Sequence, residues 1–247
     1  MRTYSVRGIG IAASAAVVVT VLLDAVLSVW PIVGRTLAQR AKANEDPDLL
    51  NQAAVAEGVL AIPLLLASIG AAVVVIVWFY RARKNVDAFP EAQPRMRAGW
   101  AIGGWFIPFA NLVIPYRVMA DTARGSLAQS RTPGLVGVWW AAWLVYSLVG
   151  QALARLDVAR YDALPTDLAG PADYQRYVDY YRGALVPNLL TLLAGIVAAA
   201  ALIVLVRRIS TAQAQRIAAG GPAAPVMPGM TVASPVESDP RGGTIGV

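Results

Sequence analysis

Two groups of side chains in this 247-residue sequence have the makings of a working site. The first is a set of polar residues lying within or beside long apolar runs: Asp24, Glu57, Gln151, Arg155 and Asn188. The second is the stretch Trp100-Ala-Ile-Gly-Gly-Trp-Phe-Ile-Pro-Phe-Ala-Asn-Leu-Val-Ile-Pro115 with Arg117 just beyond it, in which Trp100, Trp105, Pro108, Asn111 and Pro115 interrupt an apolar segment. A charge at the centre of a membrane helix costs about 2.5–3.5 kcal/mol on insertion scales, so it needs a partner. The simpler reading of the first group is an Asp24–Arg155 ion pair that pins two helices. The alternative is a polar vestibule, formed by all five residues in one outer-leaflet layer, for a small solute or ion.

The second group also supports two readings. Non-helical backbone survives at membrane depth only when it is buried in protein or lines water. As a re-entrant segment, the stretch would free backbone carbonyls around Pro108 and Pro115 and offer Asn111 as a ligand contact. Trp100 and Trp105 would then wall it, together with Trp78, Trp139 and Trp140. As an amphipathic segment, it would rest on the inner leaflet, anchored by its tryptophans and by Arg95, Arg97 and Arg117.

The side chains that most often do chemistry are missing. The chain has no His and no Cys, which removes the usual general base, thiolate nucleophiles and the common zinc, haem and iron–sulfur ligands. Its only lysines, Lys42 and Lys84, lie in polar connecting segments. Asp121, Glu91 and the arginines near them read as ordinary solvated loop charges. No catalytic, cofactor-binding or metal-ligating residue is assigned, and the expectation is that the protein is not an enzyme and carries no cofactor.

These residues are held by elements that the composition identifies. Of all residues, 57% are hydrophobic and 15% charged, with a mean hydropathy of +0.55. A soluble domain carries about 25% charged residues. The apolar residues gather into four runs, at about 8–30, 60–80, 134–154 and 184–206. Each is long enough, at about 1.5 Å per residue, to cross a hydrocarbon core of roughly 30 Å as a helix. The first run is too long for a signal-peptide core and has no nearby cleavage pattern, so it reads as an uncleaved span.

Basic residues set the orientation. With four spans and the 100–116 stretch kept on the inner side, 14 of the 21 Lys and Arg residues fall inside; a fifth crossing would bring the two sides close to balance. The positive-inside rule therefore favours four spans with both termini cytoplasmic. Residues 31–59 and 155–183 become outer loops. Tyr174, Tyr177 and Tyr181 recur at helical spacing in the second of these, as an aromatic belt would. Residues 212–247, rich in Gly, Pro and Ala, read as a disordered cytoplasmic tail after a membrane domain over 1–211. Gly8 and Ala12, Gly10 and Ser14, and Gly195 and Ala199 are spaced for close helix approach.

The segment after the second run carries a recognisable pattern: Tyr80-Arg81-Ala82-Arg83-Lys84-Asn85, Gly99-Trp100, Gly104-Trp105-Phe106-Ile107-Pro108, Asn111-Leu112, Pro115-Tyr116-Arg117, then Asp121. It resembles the bacterial membrane family known as domain of unknown function 4328, over roughly residues 55–210. The resemblance implies several spans around a tryptophan–proline–asparagine–proline core and brings no reaction with it.

The expected fold is thus an all-α membrane protein with four transmembrane helices and a cytoplasmic-side re-entrant or interfacial helical segment. The expected role is a non-enzymatic interaction or envelope-organising module of the cell membrane. The alternative is a small transporter or channel component that uses the 100–116 segment and the outer polar layer. Expected partners are the bilayer, with anionic lipid at the cytoplasmic face, and further proteins or a homo-oligomer. The net charge of +6 points to that lipid rather than to nucleic acid.

Overall fold

A computed structural model of the protein describes residues 3–219, and the regular structure among these residues is helical. The elements are α1 (Arg7–Asn44), α2 (Asp48–Val86), the short α3 (Trp100–Phe106), a 3₁₀ turn (Ala110–Leu112), α4 (Ile114–Leu127), α5 (Gly134–Leu144), α6 (Gly150–Asp162) and α7 (Pro171–Ala219). A π-helical turn, Val145–Val149, joins α5 to α6, so the pair forms one rod. This rod, α1, α2 and α7 are each long and apolar enough to cross a membrane. The fold is that of a multi-pass, all-α membrane protein.

The four rods alternate in direction, which brings the start of α1 and the end of α7 to the same end of the bundle. That end is the terminal end here, and the opposite one the distal end. The α1 and α7 rods pack along each other; α2 lies against α1, and α5 against α7. The middle of the bundle presents Val18, Leu22, Leu65, Leu66, Ile69, Leu190 and Leu193 outward. A contiguous apolar belt of this size suits hydrocarbon rather than water.

The helices outrun the hydropathic runs, which corrects several expectations. Residues 31–59 are not a loop. Helix continues to Asn44, reverses within three residues, and resumes at Asp48. Glu45 adopts a left-handed conformation (φ 53°) and donates its N–H to the Ala41 carbonyl, while the Asp46 carboxylate accepts the Asp48 N–H at 3.0 Å. The acidic run is thus a cap and a cap-like turn. Most of 155–183 is likewise helical, the end of α6 and the start of α7.

These extensions are held by a second core of their own. Ala38 and Ala41 of α1, Leu50 and Ala53 of α2, and Tyr174, Val178 and Tyr181 of α7 bury one another. Tyr174 and Tyr181 are therefore core residues at helical spacing, not members of a belt at headgroup level. Gly34 makes room for them: a Cβ there would fall 2.4 Å from the Tyr181 ring. At the terminal end, the main core gathers Val6, Trp78, Phe79, Val118, Met119, Trp139, Leu205 and Ile209.

The boundary set at residue 212 also moves. Helix α7 continues to Ala219, with Gln213 fully buried. The remainder of the expected tail, 220–247, lies outside the described residues.

Candidate functional site

Because α2 and α5 sit on opposite flanks of the α1–α7 pair, a cleft remains between them. It holds a cavity of about 350 Å³. Its walls are largely small or apolar (Val17, Ala71, Ala72, Ala198, Ala199 and Leu202), with Trp105, Trp139, Trp143 and Tyr146 supplying aromatic faces. Three further polar residues line it: Thr20, Ser68 and Asp24. The two hydroxyls are spent on their own helices, Thr20 on the Ala16 carbonyl at 3.0 Å and Ser68 on the Leu64 carbonyl at 2.7 Å. The carboxylate of Asp24 is bonded by one neighbour, the Tyr146 hydroxyl, which donates to Oδ2 at 3.2 Å.

The position of Tyr146 has two local causes. It belongs to the π-helical turn, whose extra residue per turn re-aims side chains relative to a continuous α-helix. Its ring lies against Gly195 of α7, where a Cβ would come within 2.9 Å of it. Gly195 of the Gly195–Ala199 pair therefore does permit a close approach, to an aromatic ring rather than to another backbone.

Asp24 does not pair with Arg155. None of the ion pairs among the described residues includes either side chain, and Arg155 is exposed on α6. The helix extension explains this. Asp24 lies near the middle of the 38-residue α1 rather than close to its end, and Tyr146 comes nine positions before Arg155 on the α5–α6 rod. The remaining members of the expected polar layer do not line the cavity with Asp24 either. Glu57 lies beside Trp30 and within electrostatic reach of Asp157, whose Oδ2 accepts the Tyr180 hydroxyl at 3.0 Å. The buried Trp30 Nε1 has no partner in hydrogen-bond geometry. Gln151 is exposed and Asn188 half-buried, and neither lines the cavity.

The 100–117 segment splits into parts with different surroundings. Trp105 packs edge-on against Trp143 (ring centroids 5.4 Å apart) and Trp140 (6.3 Å), and α3 also touches α2. The segment thus bridges α2 and α5 at the terminal end of the cleft. Trp140 Nε1 donates to the Leu112 carbonyl at 3.2 Å, which ties the 3₁₀ turn to α5. Gly104 lies hard against Ile114, and Pro115 is buried at the first turn of α4. Trp100, Pro108 and Arg117 are exposed, Asn111 is half-buried, and Phe109 is 85% exposed at a positive φ of 63°. Trp105 is therefore the member of this group that meets Asp24 across one cavity.

A further constellation was missed in the sequence. At the terminal end, Asn85 accepts the Tyr4 N–H on Oδ1 (2.7 Å) and donates Nδ2 to the Tyr4 carbonyl and to Gln213 Oε1, each at 2.9 Å. Gln213 Nε2 donates in turn to the Ala82 carbonyl (2.8 Å) and to Ser126 Oγ (2.7 Å). Asp121 accepts the Arg95 and Met96 N–H groups on Oδ2, both at 2.9 Å, and is paired with Arg124 on Oδ1. Arg83 donates to Asp87 at 2.7 Å and to the Met96 carbonyl. Asp121 and Arg83 are 5% and 1% exposed, so they are not solvated loop charges. Arg216 completes the clasp, donating to the Gly125 carbonyl and to Glu91, with its guanidinium 4.8 Å from the Phe89 ring centroid.

This clasp fastens the start of α1, the end of α2, the 87–99 connection, α4 and the end of α7. Its job is structural: almost every polar atom in it has a partner, as a buried network must. The sequence signal was present in the Arg83, Asn85 and Asp121 positions of the motif, but not their partners.

No curated protein and no solved structure matches the chain. A family model does match, over residues 41–211, a range that takes in the 100–117 segment, most of the clasp and the cleft walls other than the α1 wall that carries Asp24. The chain belongs to the family described as Domain of unknown function (DUF4328).

Proposed function

We propose that the protein is a non-enzymatic module of the cell membrane, with both termini cytoplasmic, that organises protein partners and anionic lipid at the cytoplasmic face. The observation that carries this reading is the commitment of the terminal-end polar groups. Asp121, Arg83, Arg124 and Asn85 are consumed in hydrogen bonds and ion pairs that hold helices and their connections together. The charges left exposed at that end include Arg95, Arg97, Arg117 and Arg131, beside the exposed Trp100, Phe106 and Phe109. Basic side chains mixed with aromatic ones suit the interface of a negatively charged leaflet.

The test is affinity purification from gently solubilised membranes, with identification of co-purifying proteins and lipids. Anionic phospholipid and a reproducible set of proteins are expected, with the lipid reduced when Arg95, Arg97 and Arg117 are replaced by Gln. Recovery of zwitterionic lipid alone, with no protein above background, would contradict the reading. The cleft favours a second reading, a transporter or channel component. Its lining ends at Trp105 and does not include Asn111, so a path through the 100–116 segment is the weaker alternative.

A further inference from the structure

The Asp24 carboxylate is an unusual component of an apolar cleft. A carboxylate removed from water is stabilised by a counter-charge or by several hydrogen bonds. Asp24 has one bond, from Tyr146, and no ion pair among the described residues. The other hydroxyls in the cavity wall already serve their own helices. The cavity that Asp24 lines instead offers aromatic faces: Tyr146 bonded to it, and Trp105, Trp139 and Trp143 elsewhere in the same walls. Aromatic faces attract cations, more strongly once water is excluded.

We propose that this cleft binds an organic cation dissolved in the membrane, an ammonium or phosphonium centre on an apolar body. The cationic centre neutralises Asp24 within reach of the Tyr146 ring. The apolar substituents lie on the tryptophan faces and on the floor formed by Ala71, Ala198 and Ala199. A volume of about 350 Å³ is at the small end of ligand pockets, which run to about 1,000 Å³, so the body is compact. Other occupants fit less well. An acyl chain would leave the carboxylate without a counter-charge. A span of a second copy would bring no cation either, because none of the runs 8–30, 60–80, 134–154 and 184–206 contains Lys or Arg.

The test uses the full chain in neutral detergent and a pair of probes of the same shape and opposite charge, tetraphenylphosphonium and tetraphenylborate. Binding is read by tryptophan quenching and confirmed by calorimetry. Saturable binding of the phosphonium at one site per chain is expected, with no competition from the borate. Asp24→Asn should weaken binding about tenfold or more, and Ala199→Phe, which fills the cavity but keeps the carboxylate, should weaken it comparably. Arg155→Gln should leave it unchanged. No saturable phosphonium binding, equal binding of the borate, or undiminished binding to a folded Asp24→Asn protein would each overturn the proposal. The two-probe comparison needs only the unaltered protein, so it decides even if a variant fails to fold.

Discussion

Asn85 and Gln213, 128 positions apart, meet through a 2.9 Å hydrogen bond between two fully buried side chains. The contact joins the end of α2 to the end of α7, and each amide continues to a different element, Asn85 to the backbone of Tyr4 and Gln213 to Ala82 and Ser126. Replacing one amide by an apolar group strands the partners of the other. Each buried group so orphaned costs about 1–3 kcal/mol. Gln213→Leu should therefore lower the thermal midpoint in detergent markedly, and truncation after Thr211 should do so at least as strongly. An unchanged midpoint in both would mean that the clasp does not hold the bundle.

The distal core makes a separate demand. Gly34→Ala would place a methyl group against Tyr181, which is 2% exposed and has no free space into which to retreat. A loss of about 1–3 kcal/mol is expected from such overpacking. The double change Gly34→Ala with Tyr181→Leu should recover part of it, as coupled neighbours do. Thermal melts of the two single variants and the double variant measure the coupling directly, and strict additivity would count against the contact.

Asp121 fixes the connection between α2 and α3 by accepting two successive backbone N–H groups on one oxygen. Asp121→Asn preserves shape but weakens this acceptor and the pairing with Arg124. The 87–99 connection should loosen while the helices stay formed. Trypsin cleavage after Arg95 and Arg97, followed on detergent-solubilised protein, should accelerate roughly tenfold if the local opening becomes about 1.4 kcal/mol easier. A cleavage rate equal to that of the unaltered chain would argue that other contacts hold the connection.

The membrane class and the four membrane-length apolar helices were legible because hydropathy acts locally: a run such as Leu60–Tyr80 declares itself without knowledge of its neighbours. Helix length was not, because it depends on tertiary contact. Residues 31–44 carry Arg35, Arg40 and Lys42, which reads as a loop until Ala38 and Ala41 are seen against Tyr174 and Tyr181. The tyrosine spacing was visible, and the row of small residues facing it gave the missing half of the signal. The same error in helix length misplaced Asp24 and matched it with Arg155 instead of Tyr146. The motif around Arg83, Asn85 and Asp121 pointed to a family, but Asn85 is tied to Tyr4 and Gln213 at separations of 81 and 128 residues, which no local pattern encodes.

The account depends most on the alternation of the four rods, and the lack of any native cysteine makes that directly measurable. Single cysteines introduced at Asp46 and Thr166, in the two distal turns, and at Gln93 and Ser130, in the two terminal-end connections, can be labelled in sealed vesicles with a membrane-impermeant maleimide. Asp46 and Thr166 should label from one face and Gln93 and Ser130 from the other. If Asp46 and Thr166 label from opposite faces, or Gln93 and Ser130 do, the chain does not cross four times and the cleft between α2 and α5 is not formed as described.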